Sequence, residues 1–202
     1  MKLFFKPGAC SLAPHIVLHE IGGDFSLEAV DTDTKLTDSG ADYLTLNPKG
    51  YVPTLALDSG ELLTEGASVL QYLADQHPQL HLAPPVGTIA RVRLQEYLNY
   101  IASELHKAFG PLFSSSASDG AKAQAVANVS AKFDYLNTLL SDDREYLLGN
   151  DYSVADAHLF AVTNWANFVG IDLADWPKLQ AVFDRIAQRP ATQAAMQAEG
   201  LV

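Results

Sequence analysis

Residues 53–75, PTLALDSGELLTEGASVLQYLAD, carry the pattern that decides the fold. Thr54 to Leu57 is a short apolar run, Asp58-Ser59-Gly60 is a turn, and Leu62-Leu63 resumes the run, which together read as a β-hairpin. Ala67, Leu70 and Leu73, with Val69 alongside, then recur at helical spacing and stop before Pro78. Upstream, Lys2-Leu3-Phe4-Phe5-Lys6 is a short strand ended by Pro7-Gly8. Ser11 to Ile21 reads as a helix with Ser11 as its cap, Pro14 in the first turn and Gly22-Gly23 at its end. Phe25, Leu27 and Ala29 alternate with Ser26, Glu28 and Val30, a second strand. Tyr43, Leu44 and Leu46 form a short helix stopped by Asn47-Pro48.

The order is therefore β-α-β-α-β-β-α. A helical crossover makes the first two strands parallel, and the hairpin adds an antiparallel pair. A small mixed four-strand sheet with three helices is the thioredoxin-like arrangement. Beyond residue 87 strand signals cease. Leu94, Leu98, Ile101, Leu105 and Phe109 recur at helical spacing, as do Val126, Val129, Phe133, Leu136 and Leu140. Ser153 with Asp156 has the spacing of a capping box, and the apolar run through Phe160, Val162, Trp165 and Phe168 predicts a buried helix. Asp175-Trp176-Pro177 opens another helix that Arg189-Pro190 closes. The expected organisation is an α/β domain over 1–80, a linker over 81–86 containing Pro84-Pro85, and an all-α domain over 87–202.

Composition narrows the function classes. The chain has 202 residues, 13 basic and 24 acidic side chains, and a formal charge of −11, which opposes nucleic acid or an anionic membrane as the main partner. A single Cys allows neither an internal disulfide nor a Cys-based zinc site. MKLFFKPGAC lacks the apolar core of a signal peptide, so a soluble, cytoplasmic protein is expected. His15, His19, His77, His81 and His158 are scattered, and no metal site is expected.

The candidate chemistry starts at Cys10, just ahead of the first helix, where free N–H groups and the positive end of the helix dipole favour a thiolate. The bland alternative is a small buried hydrophobe. Ala13 stands where a C-x-x-C pair would have its second Cys, which argues against a dithiol oxidoreductase. Pro53 after Val52 is a candidate cis bond that would free the Val52 backbone for an extended peptide-like ligand; an ordinary edge proline is the alternative. Glu65-Gly66 opens the third helix, with N–H groups suited to a carboxylate and an acid suited to an ammonium group; an acid that only compensates the helix dipole is the alternative. Asn99, Ser103 and His106 fall at i, i+4 and i+7, a polar stripe that is either functional or a solvated helix face.

PGACSLAPHIVLHE (7–20), NPKGYVPTLALDSGELLTEGASVLQYLAD (47–75), LNYIASELHKAFGPLF (98–113) and YSVADAHLFAVTNWA (152–166) are similar to the beta class of bacterial glutathione S-transferases over essentially the whole chain. The resemblance implies a thioredoxin-like domain followed by a helical domain, a homodimer, and glutathione as co-substrate at the domain interface, conjugated to a hydrophobic electrophile in detoxification. It implies that Cys10 contacts the glutathione sulfur or forms a mixed disulfide with it, that Lys35 meets the glycyl carboxylate, and that Val52 before cis Pro53 pairs with the cysteinyl backbone. Glu65 and Gly66 would hold the γ-glutamyl end, and Asn99, Ser103, Glu104, Leu105 and His106 would approach from the helical domain, His106 near the sulfur. Gly66 departs from the Ser or Thr usual there, removing one hydroxyl contact. Cys10, Ser11 and His106 are the candidates for activating the thiol, and Phe109, Phe113, Trp165 and Phe168 for lining the electrophile site. A glutathione-dependent disulfide reductase or peroxidase, and a non-catalytic binding protein of the same fold, are the rival readings.

Overall fold

A computed structural model describes residues 1–202. It divides into two compact units, one formed by residues 1–83 and 188–202 and the other by 84–187.

The first unit is built on a sheet of five strands in the order β3-β2-β1-β4-β5: β1 (Lys2–Phe5), β2 (Ser26–Asp31), β3 (Leu36–Thr37), β4 (Thr54–Ala56) and β5 (Leu62–Thr64). Helix α1 (Leu12–Ile21) crosses between β1 and β2, which pair in parallel; β4 lies antiparallel to both β1 and β5. Leu3 faces Leu27 on one side and Leu55 on the other. Leu3 and Leu55 are fully buried, so truncating either to Ala would cost about 2–5 kcal/mol. The hairpin turns at Gly60, whose φ of 91° suits a residue without a Cβ. Helix α2 (Gly66–Gln76) follows and buries Val69, Leu70 and Leu73.

Three sequence expectations change here. The sheet has five strands rather than four, because β3 is only two residues long and shows no periodicity. Ser11 does not cap α1: its fully buried hydroxyl accepts from the Lys6 N–H (3.1 Å) and donates to the Lys6 carbonyl (3.2 Å), closing the strand-to-helix turn. Pro190 does not merely end a helix. It opens α9 (Pro190–Ala198), where its missing N–H is no loss, and residues 188–202 return to the first unit rather than completing an 87–202 domain. The tether is a buried ion-pair geometry. Glu199 Oε1 lies 2.8 Å from His15 Nδ1 on α1, and its Oε2 accepts from the Gly8 N–H at 2.8 Å. Arg189 adds a pair to Glu20 on α1.

The second unit is helical: α3 (Ile89–Tyr100), a wide π turn (Ile101–Leu105), α4 (His106–Phe109), α5 (Asp119–Leu139), α6 (Val154–Thr163), α7 (Ala166–Val169) and α8 (Pro177–Ala187). The predicted row Leu94, Leu98, Ile101, Leu105 and Phe109 is fully buried. Every residue of α6 is buried, as its all-round apolarity requires. Its start is fixed by Asp156, whose carboxylate accepts from the N–H groups of Ser153 (2.9 Å) and Leu147 (2.8 Å) and from the Ser153 hydroxyl (2.7 Å). No helix is long and apolar enough to cross a membrane.

Candidate functional site

In the first unit the sequence candidates gather around the segment that leads into β4. A 3-10 turn at Tyr43–Thr45 places the Tyr43 ring in the core, with its hydroxyl donating to the Tyr51 carbonyl (2.8 Å) and 2.6 Å from Thr54 Oγ1. Asn47 Nδ2 donates to the same carbonyl (2.8 Å) and to Thr54 Oγ1 (3.1 Å). With Thr54 donating to Tyr43 and Tyr43 to Tyr51, every polar atom of this buried group has a role. The network clamps the chain on both sides of Val52-Pro53, whose peptide bond is cis, as the sequence reading expects.

Cys10 sits between β1 and α1, half-buried and in no disulfide, and its Sγ donates to the Val52 carbonyl at 3.4 Å. The thiol therefore faces the cis segment from the entrance of a ten-residue helix. Lys35 also reaches this segment. Its Nζ donates to the Gly50 carbonyl at 3.0 Å and lies 5.7 Å from the centre of the Tyr51 ring. Gly50 makes this approach possible: a Cβ there would stand 3.2 Å from Lys35 Cε and Nζ, and the backbone φ is 66°.

Glu65 precedes α2 with φ 65° and ψ 109°, a conformation that costs a non-glycine residue roughly 1–3 kcal/mol and concentrates at functional positions. Its side chain does not cap the helix but turns to Lys49, whose Nζ donates to Glu65 Oε1 (2.6 Å) and Thr64 Oγ1 (2.7 Å). Behind it, a Cβ on Gly66 would meet Pro53 Cγ at 3.9 Å, so the start of α2 lies against the cis proline. Cys10, Val52, Pro53, Glu65 and Gly66 thus gather at one end of the sheet, after β1, before β4 and after β5, with Lys35 ahead of β3. Lys49, Tyr43, Asn47 and Thr54 are site-building residues that the sequence reading passes over. The signal for Lys49, Asn47 and Thr54 is the polar spacing within NPKGYVPT, where Asn47 stands four residues before Tyr51; Tyr43 lies outside that segment.

Ser11, by contrast, does not turn its hydroxyl to the thiol as expected, because that hydroxyl is spent on Lys6 in the interior. In the second unit the expected stripe is split. The π turn draws the His106 N–H back to the Ile101 carbonyl, five residues earlier, which breaks the regular helical spacing. Asn99 and Ser103 are exposed, and the Ser103 hydroxyl donates to the Asn99 carbonyl (2.8 Å). Glu104 pairs with Lys132 (2.6 Å), and the Leu105 side chain is fully buried, leaving only its backbone for any ligand.

His106 is half-buried, its ring edge-on to Trp165 at 4.7 Å. Burial, reinforced by the neighbouring Lys107 charge, lowers its pKa to about 4, so the imidazole is neutral at pH 7 and offers both a donor and an acceptor. Of the four aromatics expected to line an electrophile site, Phe109 is core and Trp165 nearly so, whereas Phe113 and Phe168 are more than half exposed. No cluster of three or more ligating side chains suited to a metal ion is present.

Comparison with known proteins identifies the family. Residues 8–76 match the glutathione S-transferase N-terminal domain model and residues 100–190 the C-terminal domain model. The chain is 47% identical over 201 residues, the full length of both, to glutathione S-transferase GstA of Escherichia coli O157:H7. It is 38% identical, again over both full lengths, to glutathione S-transferase GST-4.5 of Xanthomonas campestris. Among solved structures it is similar to a bacterial beta class glutathione S-transferase of Sphingomonas chungbukensis (TM-score 0.97, 50% identity, all of both chains). A sphingomonad glutathione S-transferase solved in complex with glutathione is comparably similar (TM-score 0.95, 50% identity, all of both chains). With both domain models matched in order and near-half identity along its length, the chain belongs to the glutathione S-transferase family, in its bacterial beta class.

Proposed function

We propose that this glutathione S-transferase holds glutathione along the Val52-Pro53 edge of its first unit, extended as a γ-glutamyl tripeptide. The cysteinyl backbone pairs with Val52, the glycyl carboxylate meets Lys35, and the γ-glutamyl end meets Glu65 and the free N–H groups that open α2. The sulfur then falls beside Cys10, at the N-terminus of α1, where the positive end of the helix dipole favours the thiolate, the Leu12 and Ala13 N–H groups being taken by the Ala9 and Cys10 carbonyls. Lowering a thiol pKa by one unit takes about 1.4 kcal/mol of differential stabilisation, within reach of a helix terminus and one hydrogen bond. The enzyme transfers glutathione: the thiolate attacks an electrophilic carbon, a carbon–sulfur bond forms, and the displaced group leaves with the bonding pair.

One observation carries this reading: the Cys10 thiol, the Val52 carbonyl 3.4 Å from it, and the Lys35 and Glu65 charges stand at one end of the sheet. Phe113 and Phe168, exposed on the second unit, suit an apolar electrophile. A homodimer in the cytoplasm completes the reading. Exposed Leu44 and Tyr51 in the first unit and Ile89 and Val92 in the second supply apolar surface for assembly, and a lone Cys fits a reducing compartment.

The partly accessible thiol of Cys10 also supports a second reaction, exchange with a disulfide through a Cys10–glutathione mixed disulfide. Cys10→Ala separates the two: disulfide reduction is expected to disappear while conjugation of a model aryl halide survives. Loss of neither would remove Cys10 from the chemistry. Titration calorimetry with glutathione tests the reading as a whole, and no heat of association with folded protein would overturn it.

A further inference from the structure

Helices α1 and α9 lie side by side in opposite directions: Arg189, ahead of α9, pairs with Glu20 near the end of α1, and Glu199, after α9, pairs with His15 near its start. Charge closes this seam at both ends, but polar atoms inside it go unanswered. His15 Nε2, His19 Nε2 and, on α9, Thr192 Oγ1 are buried without a hydrogen-bond partner. His19 stands one turn after His15 on the same face; the two rings are 5.1 Å apart and Phe25 lies edge-on to both. Neither carboxylate of the seam is left for His19. Both Glu20 oxygens accept from Arg189, while Glu199 gives Oε1 to His15 and Oε2 to the Gly8 N–H. A neutral His19 tolerates this place, because its proton can sit on Nδ1 and leave Nε2 bare. An imidazolium carries an N–H on Nε2 as well, buried where nothing accepts it, and sets its charge beside His15. Burial, and then repulsion from His15, accordingly lower the His19 pKa. Tyr72 and Asp75 on α2, the other helix packed on α1, do not relieve it.

We infer that the α1–α9 seam is an acid-sensitive latch: protonation of His19 lifts α9 from α1 and frees the Gly8 N–H that Glu199 holds. Leu201 leaves with it, its Cδ2 standing 3.5 Å from where a Cβ on Gly8 would be. Gly8 lies two residues ahead of Cys10, so release of the tail loosens the turn that carries the thiol. The direction follows from the proton count. Lifting α9 exposes His19 and restores its ordinary value of about 6.5, so opening takes up a proton below that pH. The latch is complete above 6.5 and is lost as pH falls toward the lowered value of the closed state. One proton makes the opening constant rise by at most about tenfold per pH unit.

Amide hydrogen exchange on the free, full-length protein tests this, with rates corrected for the pH dependence of the chemical step. From pH 7.5 to pH 6, the opening constant of the α9 amides and of Gly8 is expected to rise by up to about fourfold, while the β1 and β2 amides do not follow. In His19→Gln, which cannot take up the proton, the rise is expected to vanish. His19→Phe, equally unable to titrate, takes its place if melting curves show that the Gln variant does not fold. No rise in the wild-type protein overturns the latch. An equal rise in His19→Gln overturns it too, as does a rise that β1 and β2 share. Glutathione is absent throughout, so the outcome does not depend on how the ligand binds.

Discussion

Between Tyr43 and Thr54 the first unit buries hydroxyls and a carboxamide that answer one another. Along Val154–Thr163 the second unit buries a carboxylate, an imidazole and a hydroxyl with unequal provision. In the first group each donor has an acceptor and none of the linked side chains changes charge near neutral pH. In the second, Asp156 has three donors, while His158 Nδ1 and Thr163 Oγ1 have no hydrogen-bond partner. A complete neutral network fixes a loop whatever the acidity of the solution. A buried titratable group fixes its helix only while its charge state holds.

The largest expected effect comes from Asp156. Asp156→Ala strands the Ser153 and Leu147 N–H groups in the interior and removes the support at the start of α6, for an expected loss of about 3–5 kcal/mol. Equilibrium denaturation in urea measures it, and a loss below about 1 kcal/mol would mean that the carboxylate is not what starts α6.

The acid response should be next in size, and its sign follows from three groups. Burial lowers His158 to about 3, with repulsion from His106 adding to it, and lowers His106 to about 4. A lowered imidazole contributes stability that is complete above its ordinary 6.5 and lost as pH falls toward the folded value. Burial raises Asp156 to about 6, against the pull of its donors, and this contribution has the opposite sign: present below 3.8 and lost as pH rises through 6. Between pH 4 and 6 the unfolded chain thus carries protons on two imidazoles, and the folded chain carries one on a carboxyl. The difference of one proton makes these groups stabilise the fold by about 1.4 kcal/mol more per pH unit across that window. His158→Asn should flatten the slope of stability against pH by that amount, and an unaltered slope would show that His158 is not the buried neutral imidazole described here.

How much of this was legible in the sequence depends on how far apart the partners are along the chain. The hairpin, the cis proline and the place of Cys10 ahead of α1 are local patterns, and the fold carries each of them. The Ser153–Asp156 box spans three residues and was equally readable. The return of α9 was not, because Glu199 and His15 are 184 residues apart and nothing local to either marks the other. The split of the Asn99–His106 stripe was hidden for another reason: regular spacing assumes 3.6 residues per turn, and the π turn at Ile101–Leu105 has no signature that periodicity can detect. Ser11 misled because a serine before a helix usually caps it, whereas here the preceding turn claims the hydroxyl first. Lys49 carries no local signal of its pairing with Glu65, because the chain between them must first form the β4–β5 hairpin before the two meet.

The smallest expected effect is the one that separates stability from positioning. Tyr43→Phe removes a hydroxyl that donates to the Tyr51 carbonyl and lies against Thr54, but Asn47 still donates to both partners. Thr54 alone loses an acceptor, so the stability change should be about 1 kcal/mol, far below that of Asp156→Ala. The clamp on Val52 nevertheless drops from two donors to one, directly ahead of the backbone that is proposed to pair with the cysteinyl residue of glutathione. KM for glutathione should therefore rise by several-fold while KM for the electrophile holds steady. A change in both, or in neither, would mean that the Tyr43 network supports the sheet without setting the ligand's backbone partner.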